Sequence, residues 1–597
     1  MKQFFKFLFA SFFGTFFSMI VAGIVLFVIF FAMLAGVMSS AGKDQQQITK
    51  VEDNTVLHIT LNTPIQDRTS DNPFENFDFN TFENSNNLGL DKILAAIEKA
   101  KNDDRIEGIY LDLTFVNTGM ASIEEIRNAL LDFKKSKKWI ISYSEVYTQG
   151  TYYLASVADK IYVNPAGIVE LKGLATQLMF FKNMLEKLDV DVQIIRHGKF
   201  KSAVEPFMLE KMSDSNREQM ERILNTAWGS MINDIAASRE IKTATINEIA
   251  DGLKIQDAKD ALKYNFVDGV IYKDELLAEL RKKLNLEEND DIVSVGLGKY
   301  SKSKIKGEKI IKSDNKIAVI YASGNIVSGN GNKGEMGSET ISKAIREARL
   351  DDDVKAIVLR VNSGGGSALA SDVMWRETTL AKKAKPFIVS MGDVAASGGY
   401  YIACAADKIV ASEKTITGSI GVFGVIPNME GFFNNKMGIT FDGAKTNDHA
   451  DMMGVFKPLT GEEKDIIQIG VEKIYDDFIT KVATGRGMTK EAIDSIGQGR
   501  VWVGNDALEI GLVDEIGGIN KAIDIAQEMA KLENFEVEDY PKRKDPVEQF
   551  IEELSGNMET RFMKAKLGDN YKYYQKMESI TKNTGVMAKM PFDIEVH

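Results

Sequence analysis

Ser397 lies in the run Ser390-Met391-Gly392-Asp393-Val394-Ala395-Ala396-Ser397-Gly398-Gly399, which reads as a strand end near Ser390, a small-residue turn and a helix start. A serine hydroxyl is a weak nucleophile until a neighbouring base takes its proton, and a turn into a helix offers it nearby amide donors. A second loop, Asn362-Ser363-Gly364-Gly365-Gly366-Ser367, follows the apolar strand Ala356 to Val361. Its glycines let a backbone amide approach a carbonyl oxygen that is gathering charge. Each feature has a plainer role: Ser397 as a helix N-cap, the triglycine as a tight turn. His197 tempts a serine–histidine reading, but the Gly-x-Ser-x-Gly elbow is missing around Ser397 and no local acid partner is evident.

The elements that must carry these loops occur twice. Residues 106–161 recur without a gap as residues 354–409, a constant offset of 248. In the best stretch, Tyr152 to Ile161 meets Tyr400 to Ile409 with seven of ten identical. Ala261-Leu262 and Val267-Asp268 match Ala507-Leu508 and Val513-Asp514, so the repeat runs through most of both halves. A unit this long suits two tandem globular domains, not a solenoid. The first copy has Gln149 where the second has Ser397, and Thr114 to Gly119 in place of the glycine-rich loop. One copy keeps an active-site-like pair of loops and the other looks degenerate at both.

Within each copy strands alternate with helices. The first reads as a strand over Thr55–Leu61, a helix over Leu90–Lys101, a strand over Ile106–Leu113, a helix over Ser122–Lys135 and a strand over Trp139–Ser142; the order returns from Lys316. That alternation implies βαβ crossovers and a mainly parallel sheet with buried strands. Lys299 to Asn315 reads as a lysine-rich linker, and Val547 to Leu567 as an amphipathic helix in a polar C-terminal tail. The expected divisions are 1–45, 46–310, 311–540 and 541–597.

The 597 residues carry a net charge of -13, which argues against nucleic acid as the main partner. The single cysteine, Cys404, allows no internal disulfide and reads as a buried structural thiol. Four histidines without ligand spacing give no support for a metal site. From Phe7 to Gly42 there is no charged residue, and Phe16 through Val37 is mostly apolar. At about 1.5 Å per residue that stretch can cross a hydrocarbon core of roughly 30 Å, so a transmembrane helix is expected there. Lys2 and Lys6 precede it, placing the N-terminus in the cytoplasm and the bulk of the chain on the far side.

Three segments together resemble the signal peptide peptidase A family, also called protease IV: Asn362 to Ser367, Ala395-Ala396-Ser397-Gly398-Gly399-Tyr400-Tyr401, and Lys199-Phe200-Lys201-Ser202-Ala203-Val204-Glu205-Pro206-Phe207. The resemblance is to the long form and covers nearly all of the chain after the apolar N-terminus. It implies an α/β protein of two tandem Clp protease/crotonase-like domains after a transmembrane helix. Ser397 is then the nucleophile, Lys201 the general base and Ser419 the residue that orients the lysine. The oxyanion hole falls to Gly398 with Gly365 or Gly366. A lysine can serve as base only if neutral, which requires burial in a dry pocket, since its ordinary pKa is about 10.4. The family's usual proline in the glycine loop is here Gly364. The resemblance further implies released signal peptides as substrates, a ring-like homotetramer, no cofactor, and a single-pass protein of the cytoplasmic membrane facing its outer side. Two other readings remain open: an acyl-CoA enzyme of the crotonase type, and an inactive membrane scaffold descended from a peptidase.

Overall fold

The computed structural model describes residues 3–4, 6–7, 9–25, 28, 50–70, 77–78, 83–84, 87–305, 313–332, 334–542, 563, 566–568 and 585–590. The front domain is built on a six-stranded, wholly parallel sheet. Its order is Gly269–Val270, Lys160–Val169, Trp139–Tyr147, Ile106–Asp112, Thr55–Ile59 and Ser294–Gly296. Apolar β-branched runs make the central strands, and the helix Leu90–Asn102 covers them with Leu90, Ile93, Leu94 and Ile97 on one buried face. Asp91 in its first turn and Lys99 and Lys101 in its last complement the helix dipole.

The rear domain repeats the plan. Lys316–Ser323, Val354–Ser363, Phe387–Ala396 and Ile416–Gly418 pair in parallel, flanked by Glu536–Tyr540 on one edge and antiparallel Val501–Val503 on the other. The strand read as ending near Ser390 runs on to Ala396, one residue before Ser397, and Trp139–Tyr147 likewise outruns the expected Trp139–Ser142. Both extensions run past the apolar stretch into the segment that follows, where main-chain pairing continues after a shift of register.

A third sheet has no counterpart in the sequence reading. Its order is Glu335–Gly337, Asn325–Val327, Gly365–Ser367, Gly585–Lys589, Phe423–Asn428 and Asp191–Arg196. It joins front domain, rear domain and C-terminal tail through antiparallel pairing at Gly585–Lys589 and at Asp191–Arg196. The helix expected over Val547–Leu567 lies almost wholly outside the described residues, as do residues 306–312 of the expected linker Lys299–Asn315, whose start is instead the end of the helix Leu297–Ser301. Residues 9–25 are helical with exposed side chains. Among the described residues no helix is long and apolar enough to cross a membrane. The transmembrane helix expected over Phe16–Val37 is therefore not found: past Val25, only Val28 of that stretch is described.

The two domains are held in register by buried charge. Arg360, with no exposure in the strand Val354–Ser363, places its guanidinium 2.7 Å from both Asp67 and Glu125 of the front domain. It also donates to Ser390 Oγ at 2.9 Å and the Met391 carbonyl at 3.2 Å. Burial opposes the Arg360 charge, and the two carboxylates more than restore it. Next to Glu125, Glu124 accepts from Ser412 and pairs with buried Lys414 at 3.3 Å. Asp393 accepts from the Ser122 amide at 3.0 Å and its hydroxyl at 2.7 Å. The front helix Met120–Lys134 starts at Gly119, which has no side chain to cap it, so the rear domain supplies the cap. Gly119 is required there, because a Cβ would meet the Asp393 carboxyl at 2.2 Å.

Removing one member of such a buried network leaves charge unpaired, a loss of about 3–5 kcal/mol. Arg360→Met is expected to lower the unfolding free energy by that amount, read as a lower urea midpoint with an unchanged slope. A shift under about 1 kcal/mol would show that Arg360 does not lock the domains together.

Candidate active site

Ser397 sits between the end of Phe387–Ala396 and the short helix Gly398–Ala403, with φ 55 and ψ -114. Backbone torsions of this kind are costly for a residue with a Cβ and persist only where the surroundings fix them. Here the Ser397 amide donates to the Gly418 carbonyl at 2.8 Å, and its own carbonyl accepts from Tyr401 at 2.8 Å. The hydroxyl does not cap the helix. It turns the other way, to 2.9 Å from Lys201 Nζ and 3.4 Å from the Gly421 carbonyl. The capping role is thus not the one Ser397 plays.

Lys201 comes from the front domain and is wholly buried. Beyond Ser397, Nζ lies 3.0 Å from Ser419 Oγ and donates to the Ser419 carbonyl at 3.2 Å. Burial, the one cause at work, pulls the Lys201 pKa well below its ordinary 10.5, so the amine is favoured over the ammonium. Its main chain is clamped by a rear-domain loop: the Phe200 amide donates to the Gln498 carbonyl at 2.9 Å, and Gly499, at φ 78, lies flat on the Lys201 backbone. A Cβ on Gly499 would meet Lys201 N, Cα and Cβ at 2.7 Å. The same loop holds Ser419, whose amide donates to the Arg500 carbonyl at 2.7 Å. After the lysine, Ser202 and Glu205 anchor the turn: Gln219 donates to Ser202 Oγ at 2.8 Å, and buried Glu205 accepts from Ser213 and Asn216. The Gln498-Gly499-Arg500 loop was not singled out from sequence, where it is one more polar turn with a glycine.

The neighbouring groups are placed elsewhere. Lys199 is exposed and lies over the Phe200 ring. His197 bonds Glu472 at 2.6 Å and stacks on Tyr475 at 3.8 Å between ring centroids, so it is no partner of Ser397. Cys404 is a buried thiol donating to the Tyr401 carbonyl, its pKa pushed up to about 12 by burial.

Gly365 (φ 97) closes on Gly398: a Cβ there would meet the Gly398 amide nitrogen at 2.7 Å. The Gly365 amide donates to Ser363 Oγ at 3.1 Å, which leaves the Gly366 amide as the one turned toward the strand alongside. Gly364 has no positive φ, and a Cβ there would make ordinary contacts with Met590, so this position does not demand glycine. At the equivalent turn of the front domain, Gln149 takes the place of Ser397. Its side-chain oxygen accepts from the Lys172 and Gly173 amides and its nitrogen donates to the Gly173 carbonyl, closing the site with main chain. Leu171, opposite number of Ser419, is buried and apolar.

A serine, a buried lysine whose pKa is pulled down and convergent glycine amides can carry acyl transfer. Comparison with known proteins points the same way. Residues 132–287 and 379–533 each match peptidase family S49. Protease 4 of Salmonella typhi is 39% identical over 78% of this chain and 76% of its own length. Protease 4 of Haemophilus influenzae is 38% identical over 73% and 72%. The chloroplastic serine protease SPPA of Arabidopsis thaliana is 33% identical over 81% and 70%. Among solved structures, a point mutant of ClpP1 from Listeria monocytogenes aligns with 35% of this chain and 95% of its own at 15% identity and a TM-score of 0.24, too slight a likeness to bear on the fold. With both copies of the repeat matched and relatives aligned along most of its length, the chain belongs to peptidase family S49, in the protease IV and signal peptide peptidase A group, and is a serine peptidase.

Proposed function

We propose that Ser397 and Lys201 form a catalytic dyad that hydrolyses peptide bonds through an acyl-enzyme. The observation that carries this reading is Lys201 Nζ at 2.9 Å from Ser397 Oγ and 3.0 Å from Ser419 Oγ, all three side chains buried. Neutral Lys201 takes the Ser397 proton as Oγ attacks the carbonyl carbon. The alkoxide rests on the amides of Gly398 and Gly366. Its collapse breaks the C–N bond while the Lys201 ammonium protonates the leaving amine, and a water then repeats the sequence to free Ser397. Ser419 holds Nζ in line and accepts from the charged form. A crotonase-type acyl-CoA enzyme would call on the glycine loop without this lysine, and a scaffold would need none of it.

The substrates we propose are cleaved signal peptides held near a membrane. The uncharged residues 7–42 support an anchor, with the catalytic domains on the extracytoplasmic side. We read residues 46–310 and 311–540 as Clp protease/crotonase-like domains and four chains as the working assembly.

Ser397→Ala and Lys201→Ala are each expected to lower kcat/KM for an apolar peptide by at least about 10³-fold, with Lys199→Ala within about twofold of wild type. A fluorophosphonate should label Ser397 in the wild type; an unlabelled serine would favour the acyl-CoA reading.

Since only the amine accepts a proton, kcat/KM should rise with pH and level off, with an apparent pKa well below 10.5. Lys201→Arg, charged at every working pH, should be inactive throughout. Stability follows with a definite sign. The unfolded chain holds the lysine proton up to 10.5 while the folded chain loses it earlier, so the buried amine costs most below its folded pKa and least near 10.5. Lys201→Met should therefore gain more stability over wild type at about pH 6 than at about pH 9.5; the reverse order would mean that Lys201 is folded as an ammonium.

For the anchor, full-length chain should stay with membranes through an alkaline carbonate wash while a chain starting at Lys50 stays soluble. Release of both would remove the membrane from the reading.

A further inference from the structure

The turn that lies on Lys201 is itself held by a tyrosine outside the dyad. Tyr475 stands on the helix Gly461–Arg486 and is buried. Its hydroxyl donates to Asp494 Oδ1 at 2.5 Å and accepts from the Gln498 amide at 3.2 Å. The Gln498 side chain completes a triangle, Nε2 donating to the same Asp494 oxygen at 2.6 Å. Asp494 belongs to the short helix Lys490–Ile496, which leads into the turn. Burial, and after it the bond to Asp494, push the phenol up from its ordinary 10.0, so Tyr475 keeps the proton it donates.

Gln498 depends on such support. It has φ 53 without being glycine, a torsion that persists only where neighbours enforce it. The rest of the turn is spent on the site. The Gln498 carbonyl accepts from Phe200, the Gly499 amide donates to the Ile420 carbonyl at 2.8 Å, and the Arg500 carbonyl accepts from Ser419. On its other side Tyr475 carries the ring of His197, four residues before Lys201, stacked on its face. One phenol thus touches both the front-domain segment that bears the lysine and the rear-domain turn that covers it.

The front domain holds the corresponding pair without the added bond. Its helix Asp214–Arg239 also has 26 residues, so Asp214 answers to Gly461 and Arg239 to Arg486, an offset of 247. That offset sets Trp228 against Tyr475 and Asn247 against Asp494. Trp228 Nε1 donates to Asn247 Oδ1 at 2.7 Å, so the link between the two helices is kept. An indole N–H only donates and cannot receive a turn amide. The amides of Gly252, Leu253 and Lys254 donate instead to the Glu248, Ala250 and Ile249 carbonyls of the helix before them. Joining the helices takes a donor, whereas holding the turn takes an oxygen that donates and accepts at once. Tyr475 supplies that oxygen.

We propose that Tyr475, oriented by Asp494, is a positioning residue for Lys201: its hydroxyl fixes the Gln498-Gly499-Arg500 turn that keeps water from the amine and holds Ser419 beside it. The proposal rests on the peptidase reading above. Tyr475 acts through the turn and not on the reacting atoms, so its loss falls on kcat and on the pH at which the base works. A loosened turn lets water return to Lys201 Nζ, which solvates the ammonium and moves its pKa back toward the ordinary value.

The test measures kcat and KM for an apolar fluorogenic peptide against pH, and the urea midpoint, for the full-length chain and four variants. Tyr475→Phe keeps the ring and its stacking on His197 and loses only the hydroxyl. Its kcat should fall at least about tenfold near neutral pH with KM within about twofold of wild type. The apparent pKa of its profile should rise by about one pH unit, so that part of the loss returns in alkali. Asp494→Ala should behave alike, and it decides the matter in the same way if Tyr475→Phe does not fold. Asp494→Asn still offers one oxygen to both donors and should bring kcat back to within about threefold of wild type. Trp228→Phe cuts the front-domain pair; it should lower the urea midpoint as Tyr475→Phe does and leave kcat and the pH profile unmoved. Tyr475→Phe or Asp494→Ala with wild-type kcat and apparent pKa overturns the proposal and leaves the peptidase reading standing. So does a loss of kcat that is equal at every pH, an Asp494→Asn as slow as Asp494→Ala, or a Trp228→Phe that moves the profile as far. If Ser397→Ala hydrolyses the peptide as fast as wild type, the peptidase reading fails and this proposal with it.

Discussion

A lysine amine buried where water cannot solvate its charge is the constraint on which the rest of the structure turns. Lys201 has hydroxyls and a carbonyl around Nζ, and burial alone sets its pKa. A carboxylate at that point would raise the pKa again by favouring the charged form. Dryness has to be built from two sides, because the lysine rises from one domain and the serines from the other. The close approach of Gly499 to the lysine backbone is part of that seal: any side chain there would lift the turn away from Ser397 and Ser419.

The charged network between the domains serves the same end. A cluster of side chains assembled across an interface keeps its geometry only if that interface has one register, and apolar packing is non-directional. Arg360, Asp67, Glu125, Asp393 and Ser122 fix it by directional bonds that a shifted interface would leave buried and unmade. Asp393 sits four residues before Ser397 on the same strand run, so the contact that caps a front-domain helix also sets the strand that ends at Ser397. The front domain has kept this structural part while Gln149 bonds to the main chain where a nucleophile would stand.

What sequence could reveal follows from how far each feature depends on local pattern. The α/β repeat was legible because buried parallel strands leave apolar runs and the helices between them leave one-sided stripes, both surviving at a fixed offset. Ser397, Lys201 and Ser419 were legible through the resemblance, and the structure brings all three side chains together. The clamp at Gln498-Gly499-Arg500 was not, since its meaning lies in what it touches three hundred residues away in sequence. Nor was the third sheet: Gly365–Ser367, Phe423–Asn428 and Gly585–Lys589 are too short for periodicity, and each is a strand only because the others are present. The glycine loop offered two amides as equals; in the structure that of Gly365 donates to Ser363 Oγ, a bond no sequence pattern indicates.

The shape of the cleft bears on what the site can accept. Gly365–Ser367 and Phe423–Asn428 stand one strand apart, each turning a pairing edge to the gap between them. A chain entering the gap must be extended and must give up its own secondary structure, since both of its edges are claimed by the enzyme. Recognition through the main chain is indifferent to most side chains, which leaves selection to the buried positions. At Ala588 the enclosed apolar surroundings hold a methyl group and would be overfilled by a large ring. A gap one strand wide and walled on both edges admits chain only in extended form, and the same walls keep water from the lysine.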